Sequence, residues 1–343
     1  MRVLLDTTYS RRAPFSGTAV YLERLAQALA ATGEVEVIEA ADERRAPPAG
    51  GGLGSVRNLM RDSWWGEVEL PRLAVNARAD VIHHPLPARA RGAHVPQVAT
   101  VADVAFERVP ECFDVRFRAY ARKAHKAAAR RCDAVICISR TTEADVRELW
   151  KVPEERIVVA PLGPGQEIAG APDAERAHLL YVGDDEPRKN LPVLLEAYGR
   201  YREQMVEPLP LVLAGSATGD GPGIVAEHRP GRERLAELYA GAVALVHPSL
   251  YEGFGLTPLE AMSAGTPVVA GRSPGVEEVC GDAARYADPR DPVALASAIA
   301  EVTSSPELRR ELAERGRRQV DRYSWARCAR AHATAYSLAR ARA

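Results

Sequence analysis

Short runs of apolar, β-branched residues alternate along most of the chain with longer segments whose apolar positions recur at helical spacing. This alternation predicts parallel sheets covered by helices. In the first half the predicted strands are Val3–Leu5, Val35–Ile38, Val81–Ile82, Val98–Val101, Ala134–Ile138 and Ile157–Val159. In the second half they are Leu179–Val182, Leu211–Ala214, Ile224–Val225, Ala244–Val246 and Val268–Ala270. The main predicted helices are Thr18–Ala31, Val115–Arg131, Leu191–Glu203, Gly231–Ala240 and Pro258–Ala264.

A segment rich in Pro and Gly, Pro161–Pro172, separates the two series of strands and has no apolar periodicity. It predicts an interdomain linker, and the cleft beside such a linker is the usual place for a ligand. Because a chain of 343 residues suits two domains, we predict a first domain over residues 1–163, a linker over 164–176 and a second domain over 177–322. Ala46–Ser55 is predicted to be a flexible loop.

The composition is ordinary for a soluble protein, with a formal net charge of −1 and 27% charged residues. These values argue against a nucleic-acid partner. The five cysteines are scattered without metal-ligand spacing, which favours reduced thiols in the cytoplasm. Met1–Asp6 is too short an apolar run for a signal peptide, and the sequence has no apolar stretch of membrane-spanning length. We therefore expect a cytoplasmic protein.

The segment from Glu252 to Glu260, E-G-F-G-L-T-P-L-E, carries the strongest functional signal. A Gly-rich turn that opens into a helix presents backbone N–H groups and the positive end of the helix dipole to an anion. The two carboxylates would flank a phosphate-sized space. The alternative is a capping box with Thr257 at the N-cap and Pro258 at the first helical position, in which Glu260 only stabilises the helix.

Two adjacent cations, Arg188 and Lys189, lie between the strand that ends at Val182 and the following helix. Open parallel sheets bind ligands at the carboxyl ends of their strands. The planar fork of Arg beside the point charge of Lys suits a diphosphate. A solvated charged loop is the alternative interpretation. Asp184 and Asp185 in the same loop are weaker candidates for metal ligands or catalytic acids.

The first half has two further candidates at the ends of its strands. Gly17 and Thr18 follow the first strand and open a helix, where backbone N–H groups can approach a phosphate or a sugar. A glycine required only by the geometry of the turn is the alternative. Asp103 follows the fourth strand, at a position from which its carboxylate would project into the interdomain cleft.

Together these segments resemble the retaining glycosyltransferases of family 4, whose GT-B fold has two Rossmann-like domains facing each other across a cleft. The resemblance covers nearly the whole chain. It is strongest from Leu179 to Asp288, with R-K-N-L, L-V-L-A-G, L-A-E-L-Y-A-G-A and H-P-S-L-Y-E-G-F-G-L-T-P-L-E-A-M-S-A-G-T-P-V-V-A. Ser16-Gly17-Thr18 and Tyr21 lean towards the branch of bacterial mannosyltransferases. The resemblance implies that a C-terminal helix over residues 323–343 crosses back to the first domain.

The resemblance also implies a role for each candidate residue. Glu260 would accept hydrogen bonds from the ribose of the nucleotide, and Arg188 and Lys189 would neutralise the diphosphate. Gly17 and Thr18 would close on the diphosphate from the first domain. The donor sugar and the distal phosphate would be held by Glu252 and by the backbone of Gly253, Phe254, Gly255 and Leu256. No metal ion or other cofactor is implied, and the lack of an Asp-x-Asp motif agrees with that.

One segment departs from the family pattern. Relatives commonly have Thr-x-His-Asp at the fourth strand, with the His touching the donor sugar, whereas this sequence has Thr100-Val-Ala102-Asp103. Asp103 is present and stays a catalytic candidate. His83 and His84 end the preceding strand and could reach the same space, although adjacent strand residues point to opposite faces. A structural role is favoured for both. Ala102 implies either a different pattern of donor hydroxyls or reduced activity.

The implied reaction is transfer of a sugar, with retention of configuration, from a nucleoside-diphosphate donor to an acceptor hydroxyl of a glycolipid, a polysaccharide or a small molecule. GDP-mannose is the first choice of donor, followed by UDP- and dTDP-sugars. Backbone around His228–Gly231 is expected to contact the base. The main alternative is a non-catalytic nucleotide-sugar-binding protein or partner subunit. An epimerase or phosphorylase of the same fold is less favoured.

The predicted helix over Arg116–Arg131 carries seven Lys or Arg residues and no acidic residue. A basic amphipathic helix of this kind could rest on an anionic bilayer, here on the inner face of the membrane. Such contact would suit a lipid-linked acceptor. The alternatives are a solvated basic face and a soluble small-molecule acceptor.

Overall fold

The computed structural model describes residues 1–44, 52–165 and 176–342, apart from the side chains of residues 52–56 and 59. It contains two six-stranded sheets, each built of parallel strands. The first sheet consists of β1 (Arg2–Asp6), β2 (Glu36–Ala40), β3 (Val81–His84), β4 (Gln97–Val101), β5 (Ala134–Cys137) and β6 (Ile157–Val159). The second consists of β7 (His178–Gly183), β8 (Leu211–Gly215), β9 (Ile224–His228), β10 (Ala242–His247), β11 (Val268–Gly271) and β12 (Ala284–Ala287).

The strand orders are β2-β1-β3-β4-β5-β6 and β12-β11-β10-β7-β8-β9. Helices connect the strands, as parallel pairing requires. They are α1 (Thr8–Arg12), α2 (Gly17–Thr32), α3 (Gly52–Trp64), α4 (Leu70–Asn76), α5 (Ala105–Arg108), α6 (Val115–Arg131), α7 (Arg140–Asp145), α8 (Leu191–Gln204), α9 (Arg232–Ala240), α10 (Leu256–Ser263), α11 (Pro274–Cys280), α12 (Pro292–Ser304), α13 (Pro306–Val320) and α14 (Trp325–Arg342). Within the described ranges, no helix is both long enough and apolar enough to cross a membrane.

Every strand and helix predicted from the sequence is present within a few residues of its expected bounds. Strand β12 was not predicted, because the segment Ala284–Ala287 is short and contains an Arg. The predicted loop Ala46–Ser55 is wrong from Gly52 onward, where α3 begins. Its residues 46–51 lie outside the described residues, as does most of the predicted linker Pro161–Pro172. All five cysteines are free thiols.

The contacts divide the chain into two compact units, named unit 1 and unit 2 below. Unit 1 comprises Met1–Val104, Val115–Gly163 and Trp325–Ala343, and unit 2 comprises Ala105–Asp114 and Pro164–Ser324. The predicted first domain, residues 1–163, included the segment 105–114. In the structure this segment packs with unit 2, because Ala105 and Val109 form a buried apolar cluster with Tyr251.

In unit 1 the C-terminal helix α14 packs against α2 and the sheet, and a buried chain of hydrogen bonds joins them. Tyr336 Oη lies 2.9 Å from His83 Nδ1, and His83 Nε2 lies 2.8 Å from Thr100 Oγ1. The chain continues from Thr100 Oγ1 to Tyr21 Oη at 2.9 Å and from Tyr21 Oη to His332 Nε2 at 2.7 Å. These groups satisfy one another in the interior, where an unpaired polar group is costly.

In unit 2 the sheet has an apolar cluster on each face. Leu179 and Tyr181 of β7 belong to the cluster that includes residues of α8 and α12. Leu180, between them, belongs to the cluster that includes residues of α9, α10 and α11. Alternate side chains of a strand point to opposite faces, so a strand buried on both faces is continuously apolar. With both faces covered, the loops at the carboxyl edge of this sheet are where a ligand can reach unit 2.

Candidate functional site

Arg188 and Lys189 follow β7 at the carboxyl edge of the unit 2 sheet, in a 3₁₀ turn over Pro187–Lys189. Glu252 follows β10, which is the neighbour of β7 in the sheet. Arg188 Nη1 donates to Glu252 Oε2 at 3.0 Å, and Lys189 Nζ donates to Glu252 Oε1 at 2.7 Å. The structure therefore brings the predicted pair Arg188 and Lys189 together with Glu252, which is more than sixty residues away in sequence.

The Glu252 carboxylate is largely enclosed, with 11% of its side chain exposed. Burial alone would raise the pKa of Glu252, but Lys189 and Arg188 outweigh burial and hold it well below its usual range. His247 Nε2 lies 3.3 Å from Glu252 Oε1 but has no hydrogen-bond partner of good geometry among the described residues. Burial lowers the pKa of His247, so this imidazole is neutral near pH 7.

Arg188 has a second acidic neighbour, because its Nε lies 2.8 Å from Glu186 Oε2. The guanidinium thus lies between two carboxylates, and the ammonium of Lys189 faces one of them. An incoming phosphate would take hydrogen bonds from these cations in competition with Glu252. The turn is also attached to the loop that carries Glu252, because the backbone N–H of Leu250 donates to Arg188 O at 2.9 Å.

The second carboxylate of the motif, Glu260, is buried inside α10. Gly255, with φ +124°, is the N-cap of α10, and no side chain of the described residues caps this helix. The capping-box alternative with Thr257 at the N-cap is therefore wrong. Glu260 Oε2 instead accepts a hydrogen bond from Tyr239 Oη at 2.7 Å. Burial raises the pKa of Tyr239 well above its ordinary value, and the Glu260 charge adds to this effect.

The turn between the two carboxylates is held from both sides. Phe254 is buried and packs edge-on against Tyr323, with ring centroids 5.5 Å apart. A Cβ on Gly275, at the start of α11, would collide with the carbonyl oxygen of Glu252. Gly253 and Gly255 have no side chain, so at these two positions the turn presents only backbone. The turn is a packed element whose position is set by its neighbours.

The first-half candidates belong to unit 1. Gly17 and Thr18 are the first two residues of α2, whose N-cap Ser16 accepts a hydrogen bond from the backbone N–H of Ala19 at 3.2 Å. Asp103 follows β4 and is half-buried. The part of these residues in holding a donor stays a prediction, as does the contact of His228–Gly231 with the base.

The two histidines near Thr100 have structural partners. Both ring nitrogens of His83 are hydrogen-bonded inside unit 1, to Tyr336 and to Thr100. His84 Nε2 lies 3.0 Å from Gln97 Oε1, and both histidines are buried. Neither histidine takes the place of the one that the family pattern has at position 102, where this chain has Ala102. The carbonyl of Ala102 accepts a hydrogen bond from Thr142 Oγ1 at 3.2 Å.

Sequence reasoning missed Tyr239 and Asn190. Tyr239 lies in the segment L-A-E-L-Y-A-G-A, where it has the spacing of a core residue, and its bond to Glu260 spans two helices. Asn190 lies directly after Lys189 and before α8. An Asn between a turn and a helix is a signal for a left-handed backbone position, and it could have drawn attention to this residue.

Comparison with known proteins identifies both halves of the chain. Residues 15–163 match the family model "Glycosyltransferase Family 4", and residues 167–319 match "Glycosyl transferases group 1". The O-antigen chain mannosyltransferase B of Escherichia coli is 30% identical over 267 residues, which cover 70% of this chain and 70% of that protein. The MMP alpha-(1->4)-mannosyltransferase of Mycolicibacterium hassiacum is 31% identical over 233 residues, covering 63% of this chain and 57% of that protein.

The solved structure of sucrose-phosphate synthase from Thermosynechococcus elongatus superimposes with a TM-score of 0.79 at 20% identity, over 98% of each chain. This likeness confirms the predicted GT-B fold. The C-terminal helix α14 belongs to unit 1, as predicted. Fold, family models and relatives agree, and the chain belongs to glycosyltransferase family 4.

Proposed function

We propose that this glycosyltransferase moves a mannosyl residue from a nucleoside-diphosphate donor to an acceptor hydroxyl, with retention of the anomeric configuration. GDP-mannose is the first choice of donor, with UDP- and dTDP-sugars as alternatives. The convergence of Arg188 and Lys189 on the buried Glu252 supports this proposal best. Mannose as the sugar is supported by relatives that are named as mannosyltransferases.

Arg188 and Lys189 would hold the diphosphate and stabilise the charge that builds on it as the glycosidic bond breaks. Electrostatic groups that are already in place at a developing charge are strong catalysts, because they need no reorganisation during the reaction. The backbone N–H groups of the first turn of α10 would add to this field. Two fixed cations and a helix terminus suffice for a diphosphate in this proposal, which includes no metal ion or other cofactor.

When phosphate oxygens take over the hydrogen bonds of the two cations, the Glu252 carboxylate can accept hydrogen bonds from hydroxyls of the donor sugar. The acceptor oxygen would attack the anomeric carbon on the face from which the nucleoside diphosphate departs. The departing phosphate oxygen would take the proton of the acceptor hydroxyl. One C–O bond breaks and one forms, and the proton ends on the nucleoside diphosphate. Asp103 is the remaining catalytic candidate, with Gly17 and Thr18 as further diphosphate contacts from unit 1.

The Glu260 carboxylate would accept hydrogen bonds from the ribose hydroxyls. One of its oxygens already accepts from Tyr239 at 2.7 Å. A carboxylate has about four acceptor positions, so capacity remains for ribose. The ribose lies away from the reacting bond, and its contact therefore contributes similarly to substrate binding and to transition-state binding.

The first experiment is thermal unfolding with GDP, UDP, TDP and ADP, each with and without EDTA. A nucleotide present at a hundred times its Kd adds about 2.7 kcal/mol to the free energy of unfolding. We expect GDP to stabilise most, with no effect of EDTA, and Glu260→Gln to weaken the effect. Incubation with GDP-mannose and an acceptor glycan should then yield GDP and an α-linked product. Binding of nucleotides without any turnover would favour the non-catalytic alternative.

For the acceptor, we propose a lipid-linked glycan at an anionic bilayer, reached through α6. Val115 and Tyr120 of this helix are 71% and 55% exposed, large values for apolar side chains. Lys123, Arg130 and Arg131 are exposed on the same helix. Exposed apolar side chains beside cations suit a headgroup region with negative charge.

Sedimentation with vesicles tests this contact. The chain should pellet with phosphatidylglycerol vesicles and not with phosphatidylcholine vesicles. The triple variant Val115→Asn/Tyr120→Asn/Lys123→Glu should lose this binding. Arg310→Glu, at an exposed position of α13 in unit 2, is the matched charge control. Equal binding by both variants would refute contact through α6. No pelleting of the wild-type chain with either vesicle would leave the soluble small-molecule acceptor as the better proposal.

A further inference from the structure

Asn190 occupies the junction between the 3₁₀ turn of Arg188 and Lys189 and the start of α8. Its backbone is left-handed, with φ +60° and ψ +37°, a conformation that Asn tolerates better than most residues. An Asn that precedes a helix usually accepts a hydrogen bond from a helix N–H through its side-chain oxygen. Among the described residues no side chain caps α8 in this way, so helix capping does not explain why an Asn side chain stands at this position.

The side chain of Asn190 points to two other loops instead. Its Nδ2 donates to Pro248 O at 3.1 Å and to Pro289 O at 2.5 Å, and the residue is 7% exposed. Both partners are carbonyl oxygens, which can only accept, so the two hydrogens of the amide nitrogen face them. Pro248 follows β10 and Pro289 follows β12. One side chain therefore ties together the loops after three strands.

The two carbonyl groups are themselves fixed by packing. A Cβ added to Gly271, at the end of β11, would lie 2.8 Å from Pro289 Cβ and 3.1 Å from Pro248 O. The first distance is shorter than real Cβ atoms show and the second is tight, so the two loops pack closely over this glycine. The acceptors of the Asn190 amide cannot move far to adapt to a different side chain.

The Asn190 bond to Pro248 lies beside a second attachment of the same turn. Leu250, two residues further along the loop, donates its backbone N–H to Arg188 O at 2.9 Å. These two bonds align the turn of Arg188 and Lys189 with the loop that ends at Glu252. They set where the two cations stand relative to that carboxylate and to each other.

We propose that Asn190 is a positioning residue, whose side-chain amide anchors the turn against Pro248 and Pro289 so that Arg188 and Lys189 face the diphosphate. This inference rests on the proposed function, which gives the diphosphate to these two cations. Asn190 itself touches no substrate. It acts by holding the turn, and a misplacement of about 1 Å can cost roughly a hundredfold in rate.

Three substitutions separate the amide from the backbone conformation. Asn190→Gly permits the left-handed backbone and removes the amide. Asn190→Asp keeps the shape but places a carboxylate against two carbonyl oxygens. Asn190→Ala loses both features. Calorimetry measures the dissociation constants of GMP and GDP, and their ratio gives the preference for a diphosphate. UMP and UDP serve as a second pair. Steady-state kinetics with GDP-mannose measure kcat and KM.

The diphosphate preference should fall about tenfold or more in all three variants, with GMP affinity unchanged within about twofold. The kcat/KM value should fall by about ten- to a hundredfold. General loosening of unit 2 would weaken GMP and GDP alike, which would overturn the proposal. A wild-type ratio in Asn190→Gly would also overturn it, because then the backbone conformation alone matters. Should Asn190→Asp fail to fold, Asn190→Gly decides.

Arg188→Gln and Lys189→Gln distinguish this inference from the proposed function. Their loss of diphosphate preference with wild-type behaviour of the Asn190 variants would refute only the positioning role. An unchanged ratio in Arg188→Gln and Lys189→Gln would refute the diphosphate site itself, and the role of Asn190 with it. Failure of every nucleotide to bind the wild-type chain has the same consequence.

Discussion

Tyr239 of α9 donates its phenolic hydrogen to the carboxylate of Glu260 in α10, over 2.7 Å in the interior of unit 2. The bond joins two helices that follow different strands. It also orients a buried carboxylate and gives it a hydrogen-bond partner inside the protein. Buried charges need such partners, because burial without one is costly. Glu260 is therefore held in place before any nucleotide arrives.

Tyr239→Phe should lower the free energy of unfolding by about 1.5–3 kcal/mol, because a hydrogen bond to a charged group is lost in the interior. The KM for the donor should rise about tenfold, since Glu260 loses its orientation. Urea denaturation and initial-rate kinetics measure the two effects. Tyr286→Phe, whose hydroxyl donates to Gly281 O nearer the surface, is the control. A donor KM equal to wild type would argue against orientation by Tyr239.

Glu260→Gln separates binding from chemistry. Its amide oxygen can still accept from Tyr239, so the fold should change little, but the charged acceptor for ribose is gone. We expect the donor KM to rise about tenfold with kcat within about twofold of wild type, because this contact is the same in substrate and transition state. A large fall in kcat with unchanged KM would place Glu260 nearer the reacting atoms.

Lys189→Met should lower kcat by about a hundredfold or more, since removal of one donor to a developing charge typically costs about 2.7–4 kcal/mol. Arg200→Gln in α8 is the control, because Arg200 forms an exposed pair with Glu196 one helical turn away. Such exposed pairs contribute little. Steady-state rates at saturating donor decide the matter. Equal kcat values for the two variants would show that Lys189 does not stabilise the transition state.

The buried histidine His332 predicts a pH dependence of stability. Burial lowers the pKa of His332 to about 4, against about 6.5 for an unfolded chain. The unfolded chain binds this proton first as the pH falls. Stability from His332 is therefore complete above about pH 6.5 and is lost progressively between pH 6.5 and about 4, by about 3 kcal/mol in all.

Urea denaturation at pH 7.5, 6.0 and 5.0 measures this slope. His332→Gln should be less stable at pH 7.5 and should lose part of the decline between pH 6.5 and 5. His94→Gln, an exposed position in the same unit, should keep the wild-type slope. If the free energy of unfolding falls with pH equally in wild type and His332→Gln, then the folded protein protonates His332 as readily as the unfolded chain does. That outcome would contradict the lowered pKa.

Much of the fold could be predicted from the sequence, because the burial of a strand or helix determines the local pattern of its apolar residues. Strands covered on both faces are continuous apolar runs, such as Leu179–Val182, and helices repeat their apolar positions at about every third or fourth residue. The motif from Glu252 to Glu260, inside the longer match from His247 to Ala270, carried the resemblance to the family. Strand β12 was not predicted because four residues are too few to show a recognisable apolar pattern.

Only the tertiary structure decided which side chains meet. It joined Arg188 and Lys189 to Glu252, more than sixty residues away, because β7 and β10 are neighbours in the sheet although other strands separate them in sequence. It assigned Glu260 to Tyr239 rather than to a capping box, and His83 to Thr100 and Tyr336. Local spacing determines which face of an element is buried. The order of the strands, set by packing of the whole sheet, determines which loops stand side by side.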